Sequence, residues 1–368
     1  MRIKSASSPW LTLPLHSDLV SIGTHALWAS ISGPLRKDND PLLIFFPGAG
    51  ASSAVYIKLQ QALSPYIRCL FYDRAGYNLS TLPPLDESKG KQILASHTAA
   101  DLQKLLRETG LEPPYLLVAH SFGGILLRTF LQRNVENVGG VLLFDTATEL
   151  MLSPLFPRVP PRELLAVAKN VDVEALTHLK EECGMSDEEW EDAIEANGRC
   201  GKALGLEDTH ASAYNLALAR QLDLQVFGSR PATAVQCEMV RDYQLLYDEG
   251  VRLGGGTEEE RAAAREFIEK WRAFHGQMAR AQMGLSKNGV FRYLGEWGHD
   301  LPIRRPAMVV DEVRGLLERM GEERDGEGKV HIDVGDESGS GRRREVKSDR
   351  KVKDKRTVRL SPAMSFLG

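Results

Sequence analysis

The chain has 368 residues, 42% of them hydrophobic and 26% charged, and carries a formal net charge of −4. That length suits one large α/β domain with an insertion or a tail. So small a net charge gives no reason to expect nucleic acid or an anionic membrane as partner. The four cysteines, Cys69, Cys183, Cys200 and Cys237, are scattered, with no CxxC pair and no histidine at metal-ligand spacing. Reduced thiols in a cytoplasmic protein are therefore expected, not a disulfide framework. No apolar run reaches the roughly 18 residues of a membrane span. The opening MRIKSASSPWLTLPLHS lacks the apolar stretch of a signal peptide.

Residues 19–32 alternate loosely between apolar and polar, as in an antiparallel hairpin. PLLIFFP (41–47) is a short continuous apolar run, the mark of a strand buried on both faces. It leads into the small-residue loop GAGASS and a helical stretch over 55–63. IRCLFY (67–72) repeats the strand pattern and ends in DRAGY; residues 96–109 then have helical spacing, with Gly110 placed as a C-cap. YLLVA (115–119) runs into HSFGG and a helix through Leu131, and VGGVLLF (138–144) ends at Asp145. Repeated strand–loop–helix order implies right-handed crossovers and a mostly parallel sheet.

From about 150 to 222 the sequence turns polar, with helical patterns at 162–169, 173–182, 186–197 and 209–221. This predicts a helical cap inserted into the sheet. A strand is expected to return at 222–227, followed by helices to 283 split by Gly254-Gly255-Gly256. The last strand is placed at 289–294, before Gly298-His299-Asp300, and a final helix at 307–320. The resulting organisation is a core over 1–149 and 222–320, a cap over 150–221, and a charged, disordered tail over 321–368. The tail's basic stretch, 342–356, is read as solvated. No internal repeat is present.

Ser121 falls at a strand-to-helix junction, AHSFGG. A serine nucleophile needs its oxygen raised on a tight turn, and G-x-S-x-G provides this with small flanking residues. Here Ala119 stands at the first small position and Gly123 at the second. The competing reading is a hydroxyl that merely caps a helix. His299, after the last strand and before a helix, is the candidate base, because the ends of parallel strands are where a site forms. His120 is expected to pack under the turn or line the pocket. For the carboxylate that orients the base, Asp145 is favoured, with Asp242 or Asp248 as alternatives. The amides of Ala49 and Phe122 are the expected oxyanion donors; Gly48 and Gly50 are otherwise only turn formers. No GK[ST] follows them, so this is not a phosphate loop.

Taken together, FFPGAGASS, FYDRAGYNLS, LLVAHSFGGILLRTF, GGVLLFD and GHDLPIRRPAMVVDEV resemble the α/β-hydrolase superfamily, in its cap-bearing hydrolase-1 branch with a serine nucleophile. The resemblance runs from about residue 19 to 320. It implies a mostly parallel eight-stranded sheet flanked by helices, a helical lid and no cofactor or metal. Two departures stand out. Pro47-Gly48 replaces the frequent His-Gly, and no carboxylate follows the strand expected at 222–227, where such relatives usually carry the acid. Relatives that use an aspartate nucleophile are excluded by Ser121.

The expected activity is cleavage of an ester, lactone or thioester of a small organic molecule through an acyl-enzyme. Two other readings stand beside it: a lyase, isomerase or cyclase on the same scaffold, and a catalytically inactive ligand-binding relative.

Overall fold

The computed structural model describes residues 8–37, 39–151 and 156–324. Its centre is an eight-stranded sheet: β1 (Leu15–Ser21), β2 (Ala26–Ser32), β3 (Leu42–Phe46), β4 (Cys69–Tyr72), β5 (Tyr115–His120), β6 (Val138–Phe144), β7 (Pro231–Cys237) and β8 (Asn288–Leu294). The order across the sheet is β1-β2-β4-β3-β5-β6-β7-β8. The β1–β2 and β2–β4 pairs are antiparallel, and every other pair is parallel. The mostly parallel sheet expected from the repeated crossovers is therefore present.

The apolar runs follow from this order, because helices cover both faces of the inner strands. Leu43, Phe45, Leu116, Val118, Leu142 and Phe144 pack on one side against α1 (Ile57–Leu63) and the C-terminal helix. Leu42, Ile44, Phe46, Leu117 and Ala119 point the other way, toward α2 (Ala95–Thr109) and α3 (Gly123–Asn134). Alternate side chains thus feed two cores, and no polar stripe is left.

Between β6 and β7 lies a run of short helices, among them α4 (Arg162–Val167), α5 (Asp187–Gly198) and α6 (Thr209–Leu218). It is tied to the sheet side by Lys58–Glu189 at 2.7 Å and Arg304–Glu182 at 2.9 Å, and by the fully buried Arg74–Glu207 pair at 2.9 Å. Between β7 and β8 run α7 (Met239–Arg252) and α8 (Glu258–Ala281); α9 (Pro306–Arg324) closes the described chain. The helices α7 and α8 share an aromatic cluster with α4, built around Trp271, Phe267, Tyr243 and Phe156.

One expected strand is misplaced. Residues 222–227 form no strand: Gln221–Leu224 is a single helical turn between two left-handed residues, Arg220 (φ 49°) and Gln225 (φ 47°). The strand is instead Pro231–Cys237, all seven residues of which are buried. Its proline is at the first position, where a missing N–H costs no ladder bond. Residues 321–324, expected to open the charged tail, continue the C-terminal helix, and the rest of that tail with its basic stretch, from residue 325 on, lies outside the described residues. Among the described residues no helix is long and apolar enough to cross a membrane.

Candidate active site

Ser121 joins β5 to α3 with φ at +57°, a left-handed conformation that is strained for any residue with a Cβ. The turn is possible because glycines stand two and three residues after the serine and on the facing loop. A Cβ on Gly123 would strike the Phe46 carbonyl oxygen, and one on Gly124 would strike the Thr146 side chain. From the facing loop, a Cβ on Gly48 would come within 3.0 Å of the Ser121 Cβ. Glycine is therefore needed after the serine, at Gly123 and Gly124, and fits best at Gly48 on the facing loop, for the two backbones to approach. Alanine at 119 is accommodated as a fully buried strand residue opposite Phe46 and Leu143.

His299 lies beyond β8, and its Nδ1 is 2.6 Å from Asp145 Oδ2. A carboxylate only accepts, so Nδ1 carries the proton and Nε2 presents its lone pair. That Nε2 is buried and meets no hydrogen-bond partner among the described residues. Asp145 follows β6 with φ at +47°, and its Oδ1 accepts the Cys237 N–H at 2.8 Å. Burial pushes its carboxyl up, but the His299 hydrogen bond and neighbouring imidazoles outweigh that and hold it down at about 2.

Asp242, one of the alternatives, meets the histidine differently. Its Oδ2 accepts the His299 backbone N–H at 2.7 Å, not the ring. Burial, with Asp300 nearby, raises its carboxyl to about 7. The other alternative, Asp248, is exposed and accepts from Gln244 at 2.9 Å, away from the histidine. The true post-cap strand is in fact followed by carboxylates, Glu238 and then Asp242 in the first turn of α7, which corrects the expectation of none there. Neither reaches the His299 ring: Glu238 accepts from the Tyr293 hydroxyl.

His120 does pack under the turn. Its ring lies 4.5 Å from that of His299, tilted by 35°, and its Nε2–H donates to the His299 carbonyl at 2.8 Å. The proton on Nε2 leaves Nδ1 to accept from Tyr56 Oη at 2.8 Å, and that hydroxyl accepts in turn from the Gly48 N–H at 3.4 Å. Burial first, and the neighbouring His299 second, lower this imidazole to about 3, so it stays neutral. Two side chains, His120 and Tyr56, thus tie the histidine loop to the loop facing the serine.

A second imidazole, His275 of α8, was not singled out by the sequence. Gln236 donates to its Nδ1 at 3.4 Å, so Nε2 bears the proton, and Nε2 lies 4.0 Å from Asp145 Oδ1. No spacing signal marks it, since it approaches only through the packing of α8 against β7. Arg74 and Glu207, which hold the 47–50 loop, were likewise missed; an Asp-Arg pair directly after a buried strand was their one trace.

Ser121, Phe122, Ala49, Asp145 and His299 all line one cavity of about 1050 Å³. Among the described residues, neither the Ala49 nor the Phe122 amide meets a protein acceptor. Met151, Phe156, Met239, Tyr243, Phe267 and Trp271 give the cavity an apolar wall. No group of three or more His, Cys, Asp or Glu among the described residues is placed to hold a metal. The arrangement provides a raised hydroxyl, an oriented imidazole with a bare nitrogen, and backbone donors in a cavity with one apolar wall and charged residues such as Lys91, Arg158, Arg162 and Lys270 elsewhere in its lining. These are the parts that acyl transfer needs.

A family model described as alpha/beta hydrolase fold matches residues 41–194. A Gibberella zeae protein described as an AB hydrolase superfamily protein is 26% identical over 333 residues, covering 84% of this chain and 98% of that one. A Hormonema carpetanum protein described as a probable transporter, efuK, is 30% identical over 322 residues. That match covers 85% of this chain but only 44% of the relative, so the chain spans less than half of its length. A putative lipase from Acinetobacter baumannii superposes with a TM-score of 0.56 at 13% identity, covering 85% of this chain and 94% of that one. At such identity the likeness speaks for the fold alone.

Proposed function

The chain belongs to the α/β-hydrolase superfamily, and from that premise we propose that it is a serine hydrolase cleaving ester, lactone or thioester bonds through an acyl-enzyme. The observation that carries this reading is the His299–Asp145 hydrogen bond at 2.6 Å, which leaves Nε2 free in the cavity that Ser121 also lines. In the proposed reaction Ser121 Oγ attacks the acyl carbon while His299 Nε2 takes its proton. The Ala49 and Phe122 amides stabilise the oxyanion. His299 then hands the proton to the leaving oxygen or sulfur. Water, deprotonated by the same nitrogen, attacks the acyl-serine and releases the acid. Asp145, held ionised, stabilises the imidazolium formed in each half-reaction.

The cavity's volume is at the upper end of the roughly 300–1,000 Å³ usual for small-molecule sites. That size and the apolar wall support a bulky apolar acyl or alcohol group. Four free, buried cysteines support a cytoplasmic setting.

A fluorophosphonate probe tests the reading. A stoichiometric adduct is expected on Ser121, located by mass spectrometry and absent in Ser121→Ala. A folded chain that takes no label sinks the acyl-enzyme mechanism.

A further inference from the structure

The Gly48–Ala49 peptide is gripped from behind. Arg74 Nη1 donates to the Pro47 carbonyl at 3.1 Å, and both Nη1 and Nη2 donate to the Gly48 carbonyl at 3.2 Å. In a planar trans peptide the C=O and the following N–H point in opposite directions. A guanidinium that fixes the Gly48 oxygen therefore also fixes where the Ala49 N–H points, away from Arg74. Ala49 lines the cavity beside Ser121.

Arg74 is itself fixed from the cap. Its Nε donates to Glu207 Oε1 at 2.9 Å and its Nη2 to Oε2 at 3.4 Å. Glu207 Oε2 also accepts from the Tyr77 hydroxyl at 2.9 Å, and that hydroxyl accepts from the Gly50 N–H at 3.1 Å. The guanidinium sits 4.0 Å over the Tyr77 ring, and Arg74, Tyr77 and Glu207 are all buried. Burial alone pushes Arg74 down, but Glu207 overcomes this and keeps it charged. Glu207 lies between the short helix Gly201–Leu206 and α6, 133 residues away in sequence from Arg74, and it lines the same cavity.

We propose that Glu207 is a positioning residue for the oxyanion donor: the cap carboxylate orders Arg74, and Arg74 aims the Ala49 amide. The cap thereby does more than wall the cavity. Its seating on the sheet sets whether one of the two oxyanion donors is in line. The proposal rests on the acyl-enzyme reading and adds to it a residue that touches neither nucleophile nor base.

The experiment compares the full chain with Glu207→Ala, Glu207→Gln, Arg74→Met and the Glu207→Ala/Arg74→Met double variant. Two readouts are taken: fluorophosphonate labelling of Ser121, and kcat and KM for p-nitrophenyl butyrate. Losing an oxyanion donor costs about 10²–10³ in kcat, and misaiming one costs less. Glu207→Ala is expected to lower kcat about 30-fold, with KM changed less than about threefold. Glu207→Gln keeps the acceptor without the charge and should recover kcat to within about tenfold of the native chain. The double variant should be no slower than Arg74→Met alone, because the two residues act in series. A rise in KM with kcat intact, or additive losses in the double variant, overturns the proposal and makes Glu207 only a wall of the cavity. If Glu207→Ala does not fold, Glu207→Gln decides. A threefold to tenfold fall in kcat supports the proposal, and an unchanged kcat overturns it. In each of these cases native Ser121 is still labelled. An unlabelled native chain instead removes the acyl-enzyme reading, and this proposal with it.

Discussion

Asp145→Asn is expected to lower kcat/KM for an ester by about four orders of magnitude, whereas Asp242→Asn lowers it less than about tenfold. The difference follows from what each oxygen contacts. Asp145 Oδ1 is committed to the Cys237 N–H at 2.8 Å. In the asparagine variant the amide oxygen keeps that bond, and the NH₂ group must face His299 Nδ1. A donor there forces the imidazole proton onto Nε2, the nitrogen that has to accept from Ser121. The geometry survives and the base does not. Asp242 accepts the His299 backbone N–H at 2.7 Å and makes no other hydrogen bond among the described residues, and an amide oxygen serves there equally well. Steady-state kinetics on the two variants, with the labelling rate of Ser121, separate the roles. A crippled Asp242→Asn beside an active Asp145→Asn would exchange them.

The same pair makes a pH prediction with a definite sign. Asp242 is raised to about 7 in the fold from its ordinary value of 3.8. Between those values the folded chain holds a proton that the unfolded chain has lost. Its contribution therefore lowers stability as pH rises from about 4 to about 7. Asp242→Asn, with nothing to titrate, should remove that slope from denaturation midpoints measured across the range. Asp145, held at about 2, contributes with the opposite sign: its stabilisation is present above its unfolded value and is lost as pH falls toward 2.

Gly123→Ala should destabilise the fold by about 3 kcal/mol or more and abolish labelling of Ser121. The new methyl would collide with the Phe46 carbonyl oxygen and reach the Pro47 carbonyl at 3.0 Å. Both obstacles are backbone, so no rotamer change relieves them. Either β3 or the start of α3 has to move, and the segment displaced leads directly into the Gly48–Ala49 peptide. Gly315→Ala is the matched control. That glycine lies inside α9, and a Cβ there meets nothing within 4 Å. It should gain about 0.5–1 kcal/mol from helix propensity. Urea midpoints measure both changes; a tolerated Gly123→Ala would show that the turn does not require the close approach.

The residues most legible in the sequence are those whose roles are set locally. Ser121 is marked by the strand before it and the glycines after it, and Asp145 and His299 by strands that end just ahead of them. The parallel strands were readable because burial on both faces leaves long apolar runs such as LLIFF. β7 was not, because PATAVQC is short of large aliphatic residues and opens on proline, although every position is buried. The neighbouring LDLQVF looks more strand-like, yet it begins in a helical turn and the left-handed Gln225 interrupts it. Misplacing β7 also hid Glu238 and set Asp242 in a later helix instead of just after the strand, which made the acid look absent there; the Asp145–His299 bond removes that ground for a non-hydrolytic reading. Arg74, Glu207 and His275 act only through partners brought together by the fold, and no spacing along the chain announces such a meeting.

The bond between Asp145 and His299 spans 154 residues of sequence, with the cap and two long helices in between. A ribosome delivers the serine and the acid long before the histidine, and β8, at the sheet edge, is the last strand to arrive. On the proposed mechanism, Ser121 would have no base until that strand docks. A growing or misassembled chain would then lack a reactive serine, so that labelling of Ser121 would report the final step of folding.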